Sequence, residues 1–112
     1  MLIAVAGPYS ADSEEKRAAN LDAMNGAAAK IYMKGHIPVI GVNAALAISK
    51  KLESFPPSEV INKISFAIVE KCDAILIIGS SPGADEEREI IEIKRLPVYT
   101  SIDEVPYNNL QQ

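Results

Sequence analysis

Asp73-Ala74-Ile75-Leu76-Ile77-Ile78-Gly79, followed at once by Ser80-Ser81-Pro82-Gly83-Ala84-Asp85-Glu86-Glu87, is the stretch that decides the fold of this chain. An unbroken apolar run of this length, stopped by glycine, is the pattern of a strand covered on both faces, as strands of parallel sheets are. The segment from Ala84 to Arg95 opens on acids and closes on Lys94-Arg95, the charge order that suits a helix dipole. A strand running directly into a helix is the unit of an α/β fold, whose ligands collect at the carboxyl ends of the strands. Glu87 falls at that end, in the first turn of the predicted helix.

The alternation continues outward. Leu2 to Ala6 is a second fully apolar strand, stopped by Gly7-Pro8. From Ser13 to Lys34, Leu21, Met24, Ala28, Ile31 and Tyr32 recur at helical spacing, and Gly35 follows as a helix-ending residue. Ile37-Pro38-Val39-Ile40 reads as a short strand that Pro38 confines to an edge or a strand start. Asn43 to Leu52 is predicted helical, Glu53 to Pro57 a loop, and Ser58 to Lys71 a helix with Val60, Ile64, Ala67 and Ile68 on its apolar stripe. Leu96-Pro97-Val98-Tyr99 is a last short strand before a polar-ended tail from Ile102 to Gln112. The expected architecture is one α/β domain over 1–112: three layers, with a doubly wound parallel sheet of four to five strands in the flavodoxin or Rossmann manner.

Composition removes several functions. With 112 residues and 48% hydrophobic content the chain builds one core, and a net charge of -4 from 11 basic and 15 acidic side chains leaves no broad cationic surface for a nucleic-acid polymer. Met1 leads straight into a strand, without a signal-type segment or an apolar run long enough for a membrane, so a cytoplasmic protein is expected. Cys72 and His36 are the sole Cys and His, which excludes an intrachain disulfide and a soft-ligand metal cluster. Neither a P-loop nor a G-x-G-x-x-G turn is present, and Gly79-Ser80 stands where a receiver domain needs its acceptor Asp. No cofactor is expected.

The remaining polar residues at strand ends are Tyr9 and Ser10 after the first strand, Asn43 after the second and Ser80 to Glu87 after the third, which a doubly wound sheet gathers at one crevice. Each carries two readings. Ser81 either caps the following helix or, with Gly83, offers donors to an anion. Glu87 either serves chemistry or only stabilises a helix start with Asp85, Glu86 and Glu89. Asn43 either contacts a ligand or caps a helix beginning at Ala44. Glu53 to Pro57 is either a lid carrying Phe55 or a stiff connector, and Cys72 and His36 read as a buried small hydrophobe and a partner of the helix end.

Gly7-Pro8-Tyr9-Ser10, Asn20, Gly35-His36-Ile37-Pro38-Val39, Cys72-Asp73-Ala74, Ser81-x-Gly83-Ala84-x-x-Glu87 and Leu96-Pro97-Val98, in that order, resemble the nucleoside 2-deoxyribosyltransferase-like superfamily. The likeness spans nearly the whole chain. It is closest to small members whose first turn reads Gly-Pro-Tyr, and extends to the deoxynucleoside 5'-monophosphate N-glycosidases. The resemblance implies that Glu87 is a nucleophile toward the anomeric C1' of a nucleotide, kept ionised by the helix start and oriented by Tyr9. It also implies that Gly7, Ser10, Ser65, Ser81 and Gly83 line the substrate site, to which the strand-end position of Asn43 adds that residue. Serine at 81, where transferases of unphosphorylated nucleosides resemble Asp, favours a monophosphate.

One departure bears on turnover. The family's sugar-positioning Asp, eight residues before Asp73, is here Ser65, and a hydroxyl is a poor general acid. Glu59 and Asp85 are the acids near enough in sequence to compensate. The resemblance therefore leaves two expectations: an N-glycosidase or transferase, and a nucleotide-binding module that no longer cleaves. It further implies a homodimer or higher homo-oligomer acting on a small-molecule nucleotide or nucleoside.

Overall fold

A computed structural model describes residues 1–108. The elements run β1 (Leu2–Ala6), α1 (Glu14–Met33), β2 (Ile37–Val39), α2 (Gly41–Lys51), α3 (Pro57–Val69), β3 (Ala74–Ile77), α4 (Pro82–Ile93) and β4 (Val98–Tyr99), with a 3-10 turn at Ile102–Glu104. The four strands form one parallel sheet in the order β2-β1-β3-β4. From β1 the chain winds outward to β2, and from β3 it winds outward the opposite way to β4. Right-handed crossovers therefore place helices on both faces. The expected three-layer, doubly wound α/β fold is the one found, with four strands among the described residues.

Strand side chains alternate between the two faces. Ile3, Val5, Ala74 and Leu76 meet Met24 and Ile31 of α1 on one side. Ala4, Ala6 and Ile75 meet Val69 of α3 with Ala84 and Ile91 of α4 on the other. Covered twice, β1 and β3 have no polar face to show, and this accounts for their uninterrupted apolar sequences. Asp73 fixes their register: its N–H donates to the Leu2 carbonyl at 2.8 Å, and its Oδ2 accepts the Leu2 N–H at 2.8 Å.

Pro38 lies on edge strand β2, opposite Ile3. Ile37 donates to the Met1 carbonyl at 2.9 Å, so the next nitrogen along the strand faces outward, where proline has no N–H to offer. The edge is thereby blunted against pairing with another strand.

Ser13 caps α1 by accepting the Lys16 N–H at 3.2 Å, and Gly35, at φ 91°, turns the chain after it. The His36 N–H bonds the Ile31 carbonyl at the helix end, while the ring spans the Met1 amine at 3.0 Å and the Pro106 carbonyl at 2.6 Å. The Lys34 ammonium donates to the carbonyls of Ile102 and Val105, tying the segment after β4 to α1. Cys72 is a buried small residue whose thiol is pushed up to about 11, first by burial and then by the nearby charges of Asp73 and Glu87.

The structure corrects three details and adds a fourth. Tyr32 does not join the α1 core stripe but is 67% exposed. On α3 the buried positions are Val60, Ser65 and Val69, with Ala67 exposed, so the helix face is rotated from the predicted stripe. Helix α2 begins at Gly41 rather than Asn43. The tail contains a 3-10 turn sealed by Ser101 and Glu104, and its last four residues lie outside those described.

Candidate functional site

A cleft of about 310 Å³ opens at the carboxyl end of β1 and β3, the two adjacent strands from which the chain winds in opposite directions. The β1 turn contributes Gly7, Pro8, Tyr9 and Ser10 to its walls, and the start of α4 contributes Ser81 to Ala84 and Glu87. Of the residues predicted for the site, Gly7, Tyr9, Ser10, Ser65, Ser81, Gly83 and Glu87 are brought together here. Asn43 is not. It sits in the first turn of α2, and its amide donates to Asn25 Oδ1 at 2.8 Å, joining α2 to α1 instead of facing the cleft.

Sequence reasoning missed the α3 wall, where Ser58, Ile61 and Asn62 line the cleft beside Ser65. Ser58, Asn62 and Ser65 are spaced by four and three residues, a polar stripe at helical period. The stripe is legible in the sequence, beside the apolar one formed by Val60, Ile64, Ala67 and Ile68. Asn62 and Ser58 make no hydrogen bond within the described chain, so their polar groups are available to a ligand.

Glu87 is 7% exposed and Ser65 is 2% exposed. The Ser65 hydroxyl donates to Glu87 Oε2 at 3.1 Å. Burial pushes the Glu87 carboxyl up from 4.5 to about 7, and the Ser65 bond acts against that rise. The expectation that a helix start holds this carboxylate firmly ionised is not met, and the cap explains why. Ser81, not a later residue, caps α4 by accepting the Ala84 N–H at 3.1 Å, which places Glu87 in the second turn. The dipole's influence fades over the first turn, and desolvation prevails.

The same cap changes the anion site. Pro82 has no N–H and Ala84 donates to Ser81, so Gly83 is left as the first-turn donor without a partner among the described residues. The Ser81 oxygen accepts that bond, and its own hydrogen remains free to donate.

No hydrogen bond joins Tyr9 to Glu87 among the described residues. Tyr9 packs against the α1-side core, and its carbonyl accepts the Asn20 amide at 3.0 Å, which fixes the turn. Neither acid considered as a substitute for an Asp at 65 reaches the cleft: Glu59 pairs with Lys63 at 3.5 Å, and Asp85 accepts the Ser80 hydroxyl at 2.9 Å. The cleft lining contains no Lys, Arg or His. Among the described residues no group of His, Cys, Asp and Glu is placed to hold a metal, and no helix is long and apolar enough to cross a membrane. No protein-family model, curated protein or solved structure matches this chain.

Proposed function

We propose that the chain is an N-glycosidase that cleaves, or transfers, the base of a (deoxy)nucleoside 5'-monophosphate, with Glu87 as nucleophile. The observation that carries this reading is a buried carboxyl at the floor of a strand-end cleft, held by one hydroxyl and surrounded by neutral donors. The cleft is of a size that takes a small organic ligand. In the proposed step a Glu87 oxygen bonds to C1' as the bond from C1' to the base nitrogen breaks, and the electron pair leaves with the base. The departing base takes its proton from water. Water, or a second base, then adds at C1' and releases the carboxylate. Ser81, Gly83, Ser10, Ser58 and Asn62 supply neutral donors for the phosphate and sugar.

The second reading is a nucleotide-binding module that does not cleave. It is favoured by Ser65, whose hydroxyl is committed to Glu87 and which leaves the cleft without another carboxyl to protonate the leaving base. Chromatography of free base released from ribo- and deoxynucleosides and their 5'-monophosphates, with wild type beside Glu87→Gln, separates the two. Release by wild type alone supports the glycosidase, and a preference for monophosphates supports the part given to Ser81. Binding without release, and without exchange of added base, selects the module.

The pH profile carries a prediction of its own. A nucleophile must be ionised, so kcat/KM is expected to rise through about pH 7 and level off above it. Ser65→Ala removes the bond that favours the ionised form. The rise should then move to higher pH by about one unit, roughly 1.4 kcal/mol of lost charge-assisted bonding. A profile unmoved by Ser65→Ala would show that the rate-limiting ionisation belongs to another group.

A further inference from the structure

We infer that the outward face of α1 is a self-association surface, on which α1 of a second copy packs antiparallel and crosses at Gly26. This inference is independent of the reaction proposed for the cleft. Leu21, Met24, Ala28 and Ile31 turn one side of α1 to the core. The opposite side carries Ala19, Asp22, Ala23, Gly26, Ala29, Lys30 and Met33, all of them exposed.

Three features of that face point to a second copy. Gly26 lies mid-helix, where glycine weakens the helix, and a Cβ there would meet nothing of this chain within 4 Å. Its missing side chain serves no intrachain contact, whereas a helix crossing closely over it would use that space. Met33, two turns on, is 81% exposed, and beside α1 runs a groove of about 480 Å³ between Ala23, Gly26, Ala27 and Lys30 and the half-open Ile78 past β3. Met33, the alanines and Ile78 give an incoming helix apolar surface to cover, with Lys30, Thr100 and Ser101 as polar neighbours in the groove.

The charges fix the partner and its direction. Asp22 and Lys30 stand four residues to either side of Gly26, and neither takes part in an ion pair among the described residues. Neither has an opposite charge one turn away on its own helix. An isologous, antiparallel crossing at Gly26 sets Asp22 of each copy against Lys30 of the other, twice over, and sets Ala19 against Met33 and Ala23 against Ala29. A parallel pair would bring like charges together. The face is thus complementary to itself in charge and in size.

Sedimentation velocity of the full chain across the micromolar range tests this, with circular dichroism and thermal melting to confirm folding. Wild type is expected to dimerise, and Gly26→Leu, which introduces a good helix former but fills the crossing, to be monomeric. Asp22→Lys and Lys30→Asp each place like charges across the interface twice and should weaken self-association by roughly tenfold. Mixing those two variants restores opposite pairs and should recover a heterodimer. A monomeric wild type overturns the inference. So does a dimer that Gly26→Leu and both charge reversals leave intact, or a mixture that regains nothing.

Discussion

Glu87→Gln is expected to make the fold more stable above about pH 7 while reducing base release by at least roughly a thousandfold. The carboxyl titrates at about 7 in the folded chain against 4.5 when exposed, chiefly because burial opposes its charge. Between those values the folded chain retains a proton that the unfolded chain has released. The group's contribution to stability therefore declines as pH rises from about 4.5 to about 7, and stays lowest above that. Glutamine is uncharged throughout and keeps an oxygen for the Ser65 hydroxyl. The relieved penalty is on the order of 3 kcal/mol, which in a domain of this size raises the melting temperature by roughly 10 °C at about pH 8. Near pH 4 the two proteins should melt together. Loss of activity with this gain in stability would mark Glu87 as a group held at a cost for its chemistry. Equal stability at every pH would show that the carboxyl finds solvent, and undiminished base release would remove it as the nucleophile.

Gly41→Ala should be the most damaging small substitution in the chain. Gly41 opens α2 directly beneath Ser65 of α3, and a Cβ there would lie 2.7 Å from the Ser65 Cα. The obstacle is backbone, so no rotamer change relieves it, and α2 and α3 must move apart. A loss of about 3 kcal/mol is expected, in spite of alanine's better helix propensity. The displacement also draws Ser65 away from Glu87, so any surviving activity should rise at higher pH than in wild type. Urea unfolding measures the first effect and the pH profile the second. A neutral outcome in both would mean that the close approach of α2 to α3 is not needed for either fold or site.

Much of this was legible in the sequence because local patterns carried it. The apolar runs of β1 and β3, the Gly35 that ends α1 and the acid-to-base order of α4 each reflect an environment that neighbouring residues report. The strand-end rule then gathered the β1 turn and the start of α4 into one cleft. What escaped depended on helix rotation and on exact helix starts. Asn43 leaves the cleft because α2 starts two residues before the point its sequence suggests, and Ser58 and Asn62 enter it because α3 presents a different face from its apolar stripe. The ionisation of Glu87 turned on whether Ser81 or a later residue begins α4, a shift of one turn that reverses the balance between dipole and desolvation. Burial by segments distant in sequence has no local signature at all.

The pairing of β1 with β3 also has a kinetic consequence. Ile3 sits beside Ala74, and among the described residues the strand contacts nearer in sequence for β1 are those with edge strand β2. Closing so long a loop precedes any reward from the sheet's centre, so folding should be slow for a chain of this length. During synthesis β1 emerges long before its inner neighbour. Until β3 arrives, one side of an entirely apolar strand has nothing to pair with, and the two halves of the cleft do not yet exist as one place.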